Sequence, residues 1–268
     1  MEWVDYCKSF KPAVIQAYKT RTGKELHLDT PKTFTEKIQW LKLYDSNYLK
    51  TWCADKIAVH KFYKAILGRD IGIPILQQGI LDWKSLPEKF VLKTNHGCGY
   101  NIVVTDKTKA NQDEMLKKLN KWKEIDYSKY SYEMHYKLIE PQMYAEKFLD
   151  DITDIKVFCF NGIPKIYQID RHLTHGYLNF YDTQWNALTW LSGIAYPANY
   201  SADEKPSAYL PMIYDYASKL AKPFKFVRVD FCLSNNTIYG GEMTFTPGAG
   251  FQQYKGDGDA RLGNYLDL

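Results

Sequence analysis

The chain has 268 residues, 45% of them hydrophobic and 25% charged, with 35 Lys and Arg against 31 Asp and Glu. At roughly 100–200 residues per domain that length holds one large domain or two small ones, and the composition excludes a disordered or collagen-like chain. The net charge of +4, with its lysines dispersed, is too small to point to nucleic acid, and no run approaches the ~18 apolar residues that a membrane span needs.

From Met1 to about Leu86 the pattern is helical. FTEKIQWLKLYDSNYLKTW sets Phe34, Ile38, Trp40, Leu41 and Tyr44 at helical spacing, with Thr33 or Thr35 as a cap. A second helix is predicted from about Ala54, through ADKIAVHKFYKAIL, before Gly68, Gly72 and the Pro74 segment IPILQQGIL. The texture then changes: FVLK is a strand, NHGCG a glycine turn and YNIVV a second strand. KANQDEMLKKLNKWK reads as an amphipathic helix, and strands dominate from Ile139 onward. DIKVFCF and KIYQIDR flank an Asn161-Gly162 turn, YLNFYD is another strand, YLPMIYDYASKLAK a late helix, and FVRVDFCL with IYGGEMTF a final hairpin across SNNT.

Lys93 ends a strand and is followed by Asn95, Gly97 and Gly99. Glycines let backbone N–H groups approach a polyanion, and a lysine at the lip adds a point charge; the same residues also suit a plain hairpin turn. No Gly-Lys-Ser/Thr follows, so this is not a Walker loop. In IEPQMYAEKFLDD, Glu146 sits either where a carboxylate can meet an adenine amine or on an edge strand with solvated charges. Alternation turns Asp154 and Lys156 to one face, and Lys165 and Tyr167 likewise.

In FVRVDFCL, alternation puts Val227, Val229, Phe231 and Leu233 on one face and Arg228, Asp230 and Cys232 on the other. The partner strand is expected to hold Ile238, Gly240, Glu242 and Thr244 on the polar face, with Tyr239, Met243 and Phe245 opposite. Asp230 and Glu242 meet only if the hairpin has a three-residue loop or a bulge, which Gly240-Gly241 can host. Two such carboxylates with a hydroxyl suit a hard cation such as Mg²⁺ on phosphate oxygens; the alternative is a salt-bridged surface hairpin. His172 and His175 have no third ligand nearby, so zinc is not expected.

Cys7, Cys53, Cys98, Cys159 and Cys232 are widely spaced, form no Cys-x-x-Cys pair and read as reduced thiols. The opening MEWVDYCKSF lacks a signal peptide's basic end and apolar run, so the expected location is cytoplasmic. Aromatic residues make up 16% of the chain, which fits a strand-rich interior and leaves a few rings for sugar stacking.

Taken in order, Asp55-Lys56, FVLKTNHGCG, AEKFL and VRVDF with GGEMTFTPGAG resemble the ATP-grasp superfamily. TFTEKIQWLKLYD, DIKVFCFNGIPKIYQIDRH and EMTFTPGAGF resemble its TupA-like branch, associated with teichuronopeptide, capsule and O-antigen polysaccharide biosynthesis, from about residue 30 to the C-terminus. The resemblance implies an α+β ATP-grasp fold in which two α+β subdomains clasp ATP. A helical N-terminal segment (1–85) would pack on the core, followed by a lid subdomain with the glycine loop (86–145) and a C-terminal subdomain with the metal site (146–268). It implies that Lys56, Lys93 and the Asn95, Gly97 and Gly99 loop hold ATP phosphates, that Glu146 takes the adenine amine with the backbone of Lys147, Phe148 and Leu149 on the purine edge, and that Asp154 binds ribose. Asp230, Glu242 and Thr244 would hold Mg²⁺, although relatives often carry Asn at the position of Thr244. Arg228 would stabilise developing charge, with Lys156 and Arg171 near the γ-phosphate; His60 stands where the branch more often has Arg. The implied activity is a carboxylate–amine ligase joining an amino acid to a uronic acid through an acyl-phosphate, in association with glycan-assembly enzymes. Transfer of phosphate to a sugar hydroxyl and nucleotide binding without turnover are the alternatives. Acceptor specificity is expected in the loops 171–181 and 248–254.

Overall fold

The computed structural model describes residues 2–170, 177–195, 197–200 and 207–268. Helices open the chain: α1 (Trp3–Lys8), α2 (Lys11–Thr22) and α3 (Phe34–Tyr44). Thr33, not Thr35, caps α3 through a capping box. Its hydroxyl accepts the Glu36 N–H at 3.3 Å, and Glu36 Oε2 accepts the Thr33 N–H at 2.9 Å, an arrangement worth about 1 kcal/mol. Thr35 instead donates to Asp259 Oδ2 at 2.6 Å and ties α3 to the C-terminal end. The long helical pattern is broken at Asp45, because Asn47 starts a new helix, α4 (Tyr48–Ala54), by accepting the Lys50 N–H at 3.0 Å. The helix predicted from Ala54 begins only at Val59 (α5, Val59–Leu67). Asp55 Oδ1 takes the N–H groups of Ile57 and Ala58 at 2.8 and 3.1 Å, and this turn leaves Lys56 outside both helices.

Helical structure ends earlier than the pattern suggests, since Ile75–Gln78 forms strand β1. With β2 (Phe90–Thr94), β3 (Asn101–Val104) and β4 (Met143–Lys147) it makes an antiparallel sheet in the order β1-β4-β2-β3. Phe90, Leu92 and Ala145 of this sheet pack with Leu119 of α6 (Gln112–Lys123). Alternation therefore turns Lys93 and Glu146 to the opposite face. The short helix α7 (Ser128–Ser131) precedes β4.

The second sheet has five antiparallel strands, β5 (Thr153–Phe160), β6 (Ile163–Asp170), β7 (Leu178–Asp182), β8 (Phe226–Ser234) and β9 (Thr237–Thr244), in the order β7-β6-β5-β8-β9. Both of its expected tight turns form with positive φ at their central residues, Asn161 (48°) with Gly162 (80°) and Asn235 (47°) with Asn236 (59°). One face buries Val157, Val227, Val229 and Phe231 against α5 and α8 (Leu210–Ala221). The other packs Phe158, Phe160 and Phe226 on Phe34 and Ile38 of α3 and Leu262 of α9 (Gly258–Gly263). Further along that second face the side chains turn polar, and the candidate site lies there.

Two irregularities of register decide which residues share that face. Between β8 and β9, Asp230 pairs with Glu242 while Phe231 pairs with Gly240, so Gly241 is an extra residue across a two-residue turn. The bulge brings both carboxylates to one side, as the parity argument requires. It also reverses the face of everything before it: Ile238 lies in the core and Tyr239 on the polar face, opposite to the simple alternation expected for them. Between β5 and β6 the pairing passes from Cys159–Pro164 to Phe158–Ile166, leaving Lys165 over. Pro164 lacks the N–H that a regular ladder would use. The shift turns Gln168 and Asp170, rather than Tyr167 and Ile169, toward the site.

Candidate active site

Cross-strand pairing lays the polar face out as a grid. One row holds Gln168, Lys156, Asp230 and Glu242, and the next toward the strand ends holds Asp170, Asp154, Cys232 and Tyr239. On the other side of the first row lie Ile166, Phe158, Arg228 and Thr244. Arg228 grips Asp230 with Nε at 2.7 Å and a terminal nitrogen at 2.6 Å, and the same nitrogen reaches Thr244 Oγ1 at 3.3 Å and Glu242 Oε1 at 3.9 Å. Burial lowers the Arg228 pKa, but Asp230 and Glu242 outweigh it and hold the guanidinium above its ordinary range. Burial raises the Asp230 carboxyl, and the two donors from the permanently charged Arg228 guanidinium oppose that rise. At Glu242 the balance falls the other way: burial pushes up, while Lys56, Arg228 and the Thr244 hydroxyl bring the carboxyl below its usual range.

Lys156 pairs with Asp170 Oδ2 at 2.5 Å. Asp170 is a member of this site that the sequence reading did not single out; only the bulge at Lys165 aims it here, and a local pattern carries no signal for that. Asp154 accepts the Cys232 thiol at 3.2 Å at the far end of the grid.

Facing the grid are groups from the first sheet and the turn after α4. Lys56 donates to the Gly97 carbonyl, and its Nζ stands 3.7 Å from Glu242 Oε2, so one ammonium links the glycine loop to the hairpin carboxylates. Gly97 and Gly99 have φ of 75° and 79°, and a Cβ on Gly97 would fall 2.5 Å from the Tyr127 ring, so the loop requires glycine at both places. Lys93 pairs with Glu146 across the sheet. Asn95 is 0% exposed, and its side chain bonds only within the protein. It donates to Asp55 Oδ2 (2.9 Å) and the Glu140 carbonyl (3.1 Å) and accepts from the Gln142 N–H (2.7 Å). It therefore anchors the loop; the backbone beyond it is what a phosphate can meet. The Lys147 N–H donates to the Pro74 carbonyl at 2.9 Å, which fixes the end of β4 where Phe148 and Leu149 follow.

The oxygens of Asp230, Glu242 and Thr244 converge, with Thr244 Oγ1 at 3.1 Å from Glu242 Oε1 and 3.5 Å from Asp230 Oδ2. Among the described residues no group of three or more His, Cys, Asp and Glu side chains is placed to hold a metal ion. Two carboxylates and a hydroxyl suit a hard divalent cation that takes its other ligands from water and phosphate. Beside them opens a cavity of about 530 Å³, with Lys156, Gln168, Asp170 and Arg228 on its floor and Gly248, Phe251, Gln252 and Gln253 along one wall. That wall belongs to one of the two loops expected to set specificity. In the other, Arg171, His172 and His175 lie outside the described residues. His60 takes a structural position, with Nδ1 2.8 Å from Asp70 Oδ2 and its ring against Gly72.

Among the described residues no helix is long and apolar enough to cross a membrane. Comparison with curated protein sequences finds no match. Among solved structures, the chain is similar to a D-alanine–D-alanine ligase from Bacillus anthracis complexed with ATP (TM-score 0.44, 17% identity, 75% of this chain and 56% of that one). It is also similar to an L-amino acid ligase from Bacillus licheniformis (TM-score 0.46, 13% identity, 81% and 49%) and a D-alanine–D-alanine ligase from Helicobacter pylori (TM-score 0.43, 14% identity, 87% and 69%). The chain thus spans about half the length of the first two. The family model described as TupA-like ATPgrasp matches residues 36–267, nearly the whole span expected from the sequence motifs. With its two antiparallel sheets, helical N-terminus and this match, the chain belongs to the TupA-like ATP-grasp family.

Proposed function

We propose that the protein is an ATP- and Mg²⁺-dependent carboxylate–amine ligase that joins an amino acid to a uronic acid during polysaccharide assembly in the cytoplasm. The observation that carries the reading is the meeting of Lys56, Lys93 and the glycine loop with Arg228, Asp230 and Glu242, beside a cavity with room for a second substrate. In the proposed reaction a carboxylate oxygen attacks the γ-phosphorus of ATP and ADP leaves; an amine nitrogen then attacks the acyl carbon and gives up a proton to solvent, and phosphate departs with the electron pair of the acyl C–O bond.

Lys56 and Lys93 neutralise and orient the phosphates, exchanging their present carboxylate partners for phosphate oxygens. Asp230, Glu242 and Thr244 would hold Mg²⁺, which when bound would neutralise phosphate charge. Arg228, fixed by Asp230, presents its guanidinium toward the cavity, where it stabilises negative charge as the acyl centre turns tetrahedral. The glycine loop closes over the phosphates and keeps out water that would hydrolyse the acyl-phosphate. Glu146 and the backbone of Lys147 to Leu149 bind adenine and Asp154 binds ribose. The uronate and amino acid are assigned to the cavity because its lining combines two cations with the amides of Gln168, Gln252 and Gln253 and the ring of Phe251. Lys156 is assigned to the γ-phosphate, as is Arg171 on the resemblance alone.

An ADP-release screen crossing amino acids with uronate sugars, followed by mass spectrometry, tests this reading. An amide product with equimolar ADP and phosphate is expected. ADP with a phosphorylated sugar and no free phosphate would replace the ligase by a phosphotransferase, and absence of ADP under every pairing would leave a binding module.

A further inference from the structure

Lys42 on α3 is 2% exposed and has no carboxylate within ion-pair distance among the described residues. Its ammonium instead donates to two backbone carbonyls, Ser131 O at 2.7 Å and Ala249 O at 2.6 Å, and lies 4.5 Å from the centre of the Phe251 ring. Gln39, nearly one turn earlier on the same helix and 0% exposed, donates to Gly250 O at 2.7 Å and Ala249 O at 3.3 Å. Arg21 of α2 places its guanidinium 4.5 Å from the same ring, bonds the Ser131 hydroxyl at 3.0 Å, and offers its backbone carbonyl to Gln253 Nε2 at 3.2 Å.

These donors grip an unusual stretch of backbone. Gly248, Ala249 and Gly250 are all left-handed, with φ of 55°, 53° and 67°, and a left-handed alanine does not hold that conformation without outside support. A Cβ on Gly250 would lie 2.6 Å from Gln39 Nε2, so carbonyl and amide meet with no room to spare. The held turn is the cavity wall itself, since Gly248, Phe251, Gln252 and Gln253 all line it. Burial lowers the Lys42 pKa to about 7, with Glu133 opposing. Charged or neutral, the amine keeps at least two N–H bonds, one for each carbonyl.

We propose that Lys42, with Gln39, is a positioning residue that locks the left-handed turn Gly248–Gly250 and thereby sets the wall of the acceptor cavity. The N-terminal helices, which supply no group to the phosphates except through the turn at Lys56, shape the acceptor side from behind. Naming that cavity the acceptor site rests on the ligase reading; the clamp itself does not.

The test is hydrogen exchange of the 247–253 peptide in Lys42→Met and Gln39→Met, alongside ATP affinity. Exchange at 247–253 is expected to rise at least tenfold, while the 90–94 strand and the ATP Kd stay within twofold. With an identified substrate pair, the KM for the acceptor is expected to rise at least tenfold and kcat to change far less. Unchanged exchange at 247–253 in both variants would overturn the clamp, as would an equal rise across the molecule. If Lys42→Met does not fold, Gln39→Met, which removes one amide and no charge, decides alone. Should the wild type form no amide, the ligase reading falls while the exchange result still judges the clamp.

Discussion

Asp230→Asn and Glu242→Gln make the same chemical change at directly paired positions, yet the structure expects different consequences. Asp230 is 8% exposed and receives two N–H bonds from Arg228. Removing one partner of such a buried pair costs about 3–5 kcal/mol when the other charge is left stranded. Here the asparagine oxygen keeps one bond, and Thr244 Oγ1 at 3.3 Å and Glu242 Oε1 at 3.9 Å remain beside the guanidinium, so about 2–3 kcal/mol is expected. The Glu242 side chain is 34% exposed, and its cations stand at 3.7 and 3.9 Å, too far for hydrogen bonds. Its loss is expected to stay within about 1 kcal/mol. Turnover should fall about 10²–10³-fold in both, because each removes a carboxylate proposed to hold the Mg²⁺ that shields the phosphates. Urea unfolding followed by tryptophan fluorescence gives the stabilities, and ADP release at saturating ATP gives the rates. A Glu242→Gln protein less stable than Asp230→Asn would refute the assignment of Arg228's counter-ion. Near-native turnover of either in Mg²⁺ would refute the metal role.

Lys93→Ala is expected to weaken ATP binding about tenfold by calorimetric titration, the effect of one lost charge-assisted bond; unchanged affinity would count against the phosphate cradle. Gly240→Ala puts a Cβ 2.7 Å from the fully buried ring of Tyr63, whereas Gly241→Ala meets nothing nearer than the Asp230 carbonyl at 3.2 Å. The first should cost about 1–3 kcal/mol and the second less than half as much, and equal losses in thermal melts would show that the bulge is not wedged against Tyr63. His135 is held well below the ordinary histidine range by burial, with Lys50, Lys42 and Lys56 adding to the effect. Its imidazole stays neutral in the folded protein, while in the unfolded chain it protonates near pH ~6.5. As pH falls below that value, only the unfolded state gains the proton, and stability drops by about 1.4 kcal/mol per unit until the folded-state pKa is reached. Between pH 7 and about 5.5, His135→Phe should therefore lose less stability than the wild type, and parallel slopes would refute this source of acid sensitivity.

Local chemistry in the sequence determined much of this protein. Thr33 and Glu36 write a helix start, Asn161-Gly162 and Asn235-Asn236 write tight turns, and the alternation in FVRVDFCL separates Val227, Val229 and Phe231 from Arg228 and Asp230. The parity of Asp230 and Glu242 left a three-residue loop or a bulge at Gly240-Gly241 as the ways for them to meet, and the two-residue turn of the structure selects the bulge. What the sequence could not carry was the result of pairing between distant segments. The extra residue at Lys165 aims Asp170 at Lys156, the bulge at Gly241 moves Ile238 into the core, and Asn95 becomes an anchor only when Asp55, Glu140 and Gln142 close around it. No local pattern singles out Lys42 and Gln39; their role depends on the turn from 248 to 250, some two hundred residues later, which folds against them. Caps, turns and alternation act within a few residues and are written locally. Register shifts and buried polar contacts depend on which backbone groups meet across the whole chain, and only the tertiary structure brings those together.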